Sequence, residues 1–187
     1  MKTNNSVISL TVTLLIAIST FGCVAKREVN QTKVLSVLDR EGTKLSDNMK
    51  IEIAETVLQL SREYQMDPML ILAVMKVEST FNPKAVSNAQ AYGLMQVRAI
   101  VVKDVAGELG INPQDEGKLL TSHHFNLRVG VHYLAKLLKK FKGDLHKALM
   151  AYNAGPTTVA KLYKNRPAPE GGYQGRVLKA YEKLSAS

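Results

Sequence analysis

The sequence predicts an all-α protein, a single, mainly helical domain behind a leader. Three observations carry that expectation. Apolar residues recur at helical spacing in one stretch after another, as in Ile53, Val57, Leu60, Tyr64 and again in Leu127, Val131, Leu134, Leu138, Phe141. Capping residues and Gly or Pro breakers frame those stretches. No stretch shows sustained alternation of apolar and polar residues between hairpin turns.

The first element is a leader. Met1 to Gly22 has Lys2 as its short positive region and an uncharged, mostly apolar run of 16 residues from Val7 to Gly22, the form of a secretion signal. That run is short for a membrane span, although an uncleaved anchor stays open. It ends before Cys23, the sole cysteine, which is an unpaired thiol or a modified one. Residues 24–46 are polar and mixed, with one weak apolar cluster (Val34, Leu35, Val37, Leu38), and are expected to form a tether.

The domain is expected to run from 47 to 187. Ser46 and Asp47 open its first helix. The next begins at Asp67-Pro68, where Asp67 can cap and Pro68 suits the first helical position. Eight of the nine residues from Met69 to Val77 are apolar, the mark of a core helix, and Phe81-Asn82-Pro83 stops it. Asn82 to Tyr92 reads as loop; Gly93-Leu94-Met95-Gln96 is expected to open a helix toward Leu109, ended by Gly110 to Pro113. Asn126 is expected to cap a helix with Lys136, Lys139 and Lys140 on its wet side. A short helix follows from Asp144 to Ala154, another near Thr157 to Tyr163, and a last one with Tyr173, Val177, Tyr181 and Leu184 on one face.

Glu78 stands in the last turn of the greasy helix, with Val74 and Met75 one turn behind it. Such a Glu either points into water or stays in the apolar setting. In the second case desolvation and the negative end of the helix dipole both raise its pKa, which suits a general acid near neutral pH.

The net charge of +9 is uneven. Residues 1–127 carry 13 basic and 13 acidic side chains, whereas 128–187 carry 12 and 3, so the excess lies wholly in the last third. That field is either a solvated face or an attractor of polyanions; behind an export signal, a wall or membrane surface is the better partner and nucleic acid is disfavoured. The four histidines (123, 124, 132, 146) have no metal-binding spacing and no cysteine partners, so no metal and no cofactor is expected. No nucleophile elbow or phosphate-cradling loop appears. The aromatic residues are seven tyrosines and four phenylalanines, with no tryptophan.

Glu78-Ser79, then Gly93-Leu94-Met95-Gln96, then Ala151-Tyr152-Asn153-Ala154-Gly155 resemble the motifs of the lytic transglycosylases, with the lysozyme-like helical fold. Phe81 to Ser87 and Asn126 to Leu134 match the same pattern, and the resemblance covers roughly residues 50 to 185. It implies non-hydrolytic cleavage of the β-1,4 bond between N-acetylmuramic acid and N-acetylglucosamine in peptidoglycan glycan strands, leaving 1,6-anhydromuramyl ends. Glu78 would act as acid and then base. Ser79, Ser87, Met95, Gln96, Tyr152, Asn153 and Tyr173 would bind substrate, with fixing the helix end as the alternative role of Ser79 and core or groove wall as that of Tyr173. The chain departs from the pattern at Glu170-Gly171-Gly172, where a Glu-Thr pair is usual, and at Gln90, where Gly is frequent.

Cys23, after Thr20-Phe21-Gly22, resembles the lipid-attachment box of bacterial lipoproteins, and Val24 beside it suits the outer membrane. The box usually has Leu where Thr20 stands and a smaller residue where Phe21 stands, and simple export is the alternative. A periplasmic, outer-membrane-anchored protein is therefore expected, with an envelope-spanning assembly as a further candidate partner.

Composition supports a single-carboxylate scheme independently. Ordinary glycosidases place a second Asp or Glu roughly 5–10 Å from the first. Here there is no acidic residue from Ser79 to Lys103, from Gly117 to Gly143 or from Leu145 to Pro169, and only Asp67 and Asp104 stand nearby in sequence. The rival readings are a goose-type lysozyme that uses water and a second carboxylate, and a non-catalytic wall-binding assembly protein.

Overall fold

The computed structural model describes residues 31–164 and 166–186. The expected signal segment and Cys23 lie outside these residues.

A bundle of helices surrounds α3, as the greasy sequence of that helix requires. In chain order the elements are α1 (helical over residues 31–41), α2 (Asp47–Glu63), α3 (Pro68–Ser79), strands β1 (Ala91–Tyr92) and β2 (Val97–Arg98), and α4 (Ala99–Leu109). A single 3-10 turn (Asp115–Gly117) leads into α5 (Lys118–Thr121), followed by α6 (His123–Lys140), α7 (Leu145–Ala154), α8 (Pro156–Leu162) and α9 (Gly172–Ser185). The all-α expectation holds, with one small antiparallel hairpin added, in which Ala91 pairs with Arg98 and Tyr92 with Val97.

Asp67 caps α3 by accepting from the Met69 amide, Pro68 occupies its first turn, and Thr80 closes it in the left-handed region. Residues Ile71 to Met75 have no solvent exposure at all. Burying such side chains stabilises the fold by about 1.5–3 kcal/mol each for the larger ones. Helix α3 packs most extensively against α9, and α6 packs against α2, α4 and α7.

Three sequence expectations need correction. The tether proposed for residues 23–46 cannot extend through its second half. Residues 31–41 are helical, Val34, Val37 and Leu38 are fully buried, and the Lys33 ammonium donates to the Ser185 carbonyl at the far end of the chain. The ordered domain therefore begins upstream of 47. Gly93 to Gln96 do not open a helix. They form the turn of the hairpin, with Gly93 and Gln96 at φ of 71° and 47°, and α4 starts only at Ala99. Asn126 is not a helix cap either: Ser122 caps α6, accepting from the Phe125 amide, and Asn126 lies inside the helix with no exposure.

Candidate active site

Hydrogen bonds from three side chains bring the hairpin turn, α3, α6 and α7 together. The Asn126 side chain accepts from the Met95 amide (2.9 Å) and donates to the carbonyls of Tyr92 (2.7 Å) and Leu119 (3.1 Å). A buried Asn with all three partners met is a rigid hub. The Ser79 hydroxyl, at the end of α3, reaches the Leu94 carbonyl at 2.8 Å and the Met75 carbonyl at 3.1 Å. The Tyr152 hydroxyl, near the end of α7, donates to the Met95 carbonyl at 2.9 Å.

Close packing demands glycine at two of these places. A Cβ on Gly93 would fall 2.5 Å from Asn126 Nδ2, and one on Gly130 of α6 would fall 2.6 Å from Met95 Sδ and 3.1 Å from the Tyr152 hydroxyl. Turn and helix therefore touch through bare backbone.

Glu78 lies at the meeting point. Burial in this apolar setting pushes its carboxyl up to about 7 from an ordinary 4.5. Two weaker effects pull the other way. The Tyr173 hydroxyl, arriving from α9, donates to Oε1 at 2.6 Å, and the positive charge of Arg176 favours the carboxylate. The Arg176 guanidinium lies 5.9 Å from the centre of the Tyr173 ring. With Oε1 accepting from Tyr173, the proton of the neutral acid is carried by Oε2, so the tyrosine fixes which oxygen can donate. Burial pushes the phenols of Tyr152 and Tyr173 far above their usual range. Both therefore remain neutral donors.

Among the described residues no Asp or Glu lies close enough to contribute to the Glu78 shift. Asp67 caps the opposite end of α3, about 16 Å away at 1.5 Å per residue, and accepts from the Tyr181 hydroxyl at 2.8 Å. Asp104 is ion-paired with Lys136 at 3.1 Å.

The other expected site residues divide by what their polar atoms already do. Tyr173 reaches Glu78, and the chain approaches it through Gly171 and Gly172, both at positive φ. Gln96 Nε2 donates to the carbonyls of Ala85 (3.1 Å) and Gly93 (3.0 Å), and its Oε1 takes no partner among the described residues. Ser87 Oγ accepts from the Ala91 amide at 3.1 Å, which leaves its proton free to donate. Asn153 is exposed at the end of α7. Met95 differs from expectation. It is fully buried, so its side chain supports the groove from beneath and meets no sugar. The Ser79 proton is likewise committed to backbone carbonyls. Sequence reasoning missed Asn126 as the hub; its position amid the apolar face of α6 was the available signal. Among the described residues no cluster of His, Cys, Asp or Glu could hold a metal ion.

Beside the acid lies a cleft of about 600 Å³, lined by Tyr152, Asn153, Tyr133, Arg98, Ile100 and Lys103 among others. Glu78 is not in its lining. Tyr152 links the two, bordering the cleft while lying close enough to Glu78 to feel its charge.

An all-α frame that holds a half-buried acid by a tyrosine at the end of a core helix, near a cleft and with no second carboxylate beside it among the described residues, is equipped for acid chemistry. Residues 55–173 match the transglycosylase SLT domain family, and the chain belongs to that family. Two solved structures share the fold. An inactive mutant of the lytic transglycosylase Slt from Pseudomonas aeruginosa is 24% identical with a TM-score of 0.62, covering 71% of this chain and 24% of the other. The 70 kDa soluble lytic transglycosylase SLT70 from Escherichia coli is 25% identical with a TM-score of 0.59, covering 70% and 23% respectively. This chain thus spans about a quarter of the length of each.

Proposed function

We propose that this protein is a peptidoglycan lytic transglycosylase that cleaves the β-1,4 bond between N-acetylmuramic acid and N-acetylglucosamine without water. The observation that carries the reading is the carboxyl of Glu78, held by Tyr173 at 2.6 Å, raised to about 7 and without a second carboxylate near it among the described residues.

The chemistry follows from that arrangement. Glu78 Oε2 gives its proton to the glycosidic oxygen as the bond to the muramic C1 breaks. A second carboxylate would normally stabilise the cationic carbon or activate water. In its absence the substrate's own 2-acetamido oxygen bonds to C1. Glu78, now a carboxylate held by Tyr173 and Arg176, takes the proton from the muramic 6-hydroxyl as that oxygen displaces the acetamido group and closes the 1,6-anhydro ring. The acid is thereby regenerated. A pKa near 7 suits a group that must both give and reclaim a proton at neutral pH.

The signal-like leader and the lipid-box-like setting of Cys23 support the reading that the protein works outside the cytoplasm, on a lipid anchor at the outer membrane facing the periplasmic wall. Labelling with a lipid precursor in wild type, lost in Cys23→Ser, is the expected result; equal labelling or none ends the anchor proposal.

Mass spectrometry of digested sacculi tests the activity. Anhydromuramyl ends from wild type, and none from Glu78→Gln, are expected. Reducing ends in their place would identify a goose-type lysozyme, and undiminished lysis by Glu78→Gln would remove Glu78 from the reaction.

A further inference from the structure

The cleft beside Tyr152 has a charge imbalance that a neutral sugar chain does not require. Its wall carries Arg98, the last residue of β2, and Lys103, one turn into α4; both are exposed, and neither has a carboxylate partner among the described residues. The one acid in the lining, Asp104, is ion-paired with Lys136 at 3.1 Å, an ammonium it shares with Glu108 at 2.7 Å, so the lining keeps two cations against one partly compensated carboxylate. Between the two cations stands Ile100, 62% exposed, which gives the same wall an apolar patch. The same cleft is lined by the rings of Tyr133 and Tyr152, with centroids 5.7 Å apart, and by Asn153.

We infer that this cleft is a recognition site for a carboxylate carried on the lactyl arm of muramic acid, with Arg98 and Lys103 as its cationic partners. This rests on the proposed peptidoglycan substrate. The sugar rings of such a strand are neutral, so its negative charge resides on that arm, either as the free lactyl carboxylate or as the carboxylates of an attached peptide. Two donors lining one cleft suit a carboxylate, arginine offering a two-pronged fork and lysine a point charge. The Ile100 side chain suits the methyl groups that both the lactyl arm and alanine-containing peptides present. Because Tyr152 borders both cleft and acid, a substituent anchored here positions the strand for cleavage at Glu78.

The test is calorimetric binding to the full-length Glu78→Gln protein, which does not turn substrate over. Four ligands of equal sugar length serve as probes: a chitin tetrasaccharide, a peptide-free muramic tetrasaccharide, the same bearing peptides, and the peptide form with its carboxylates amidated. The carboxylate-bearing ligands are expected to bind about tenfold tighter than chitin, the scale of partly exposed charge-assisted contacts. Adding Arg98→Gln and Lys103→Gln removes that preference and leaves chitin affinity unchanged, the latter also showing that the variant is folded. A preference already present without peptide assigns the lactyl carboxylate; one that requires peptide and is lost on amidation assigns the peptide. In the parent protein, high salt erases the same preference by screening, which reads the effect without the double variant. Equal affinity for charged and neutral ligands, or a preference that survives both the double substitution and salt, overturns the inference while leaving the proposed activity intact. Failure to bind any of the four ligands overturns the substrate reading as well.

Discussion

Glu78→Gln should make the protein more stable above neutral pH while abolishing its activity. The folded-state carboxyl titrates at about 7 against an ordinary 4.5, because ionisation takes place in apolar surroundings. Between those values the folded chain binds a proton that the unfolded chain has already lost, so stability falls as pH rises through this window. The gap corresponds to about 3 kcal/mol at 1.36 kcal/mol per pH unit. Gln has the shape of the neutral acid and still accepts from Tyr173, yet has no charge to bury. At pH 4 the two proteins should therefore have nearly equal stability. At pH 8 the variant should be more stable by about 3 kcal/mol, which displaces a urea midpoint by about 1–2 M for a domain of ordinary m-value. Paired urea titrations at the two pH values make the measurement, and all other titrating groups cancel in the difference. A stability difference that does not change with pH, or a variant less stable at pH 8, would refute the buried-acid reasoning.

Three further outcomes are expected. Tyr173→Phe removes a donor from the carboxylate, worth about 1.5–3 kcal/mol, so the alkaline limb of kcat/KM should move up by about 1–2 pH units; a downward movement would contradict the role of the hydroxyl. Asn126→Ala orphans the Met95 amide and the carbonyls of Tyr92 and Leu119; a loss of about 3 kcal/mol or more in thermal or urea unfolding is expected, with activity falling as the turn loosens. Leu38→Ala should cost about 2–5 kcal/mol in the same unfolding assay, as a fully buried leucine does, whereas a residue of a mere tether would cost nothing.

The helix that carries the acid was legible because its whole definition is local: a cap at Asp67, a proline at the first turn, an unbroken apolar run, and a stop at Phe81-Asn82-Pro83. Periodicity marked α2, α6 and α9 for the same reason. The hairpin was not legible, since two-residue strands are too short to alternate, and its turn depends on contacts with α6. Gln90 is instructive here. It stood out as a residue where glycine is frequent, and its φ of 54° gives the reason, a left-handed position that glycine occupies without strain. Helix α1 was hidden because a cluster of four apolar residues acquires meaning only when a core is present to receive it. The pairing of Glu78 with Tyr173 spans 95 residues, and no spacing rule in the chain dictates it; only the packing of α3 on α9 does. The same holds for Met95 and Ser79, to which the resemblance gave substrate contact but whose burial and hydrogen bonds tie them to the turn, for Ser79 in keeping with its alternative role at the helix end.

The central claim, a lone acid poised near neutrality, is tested most directly by following the Glu78 side-chain carboxyl through a 13C NMR pH titration. The account predicts one proton lost in a single step with its midpoint near pH 7. A midpoint in the ordinary glutamate range, or a two-step curve that betrays a second carboxylate coupled to it, would contradict the account.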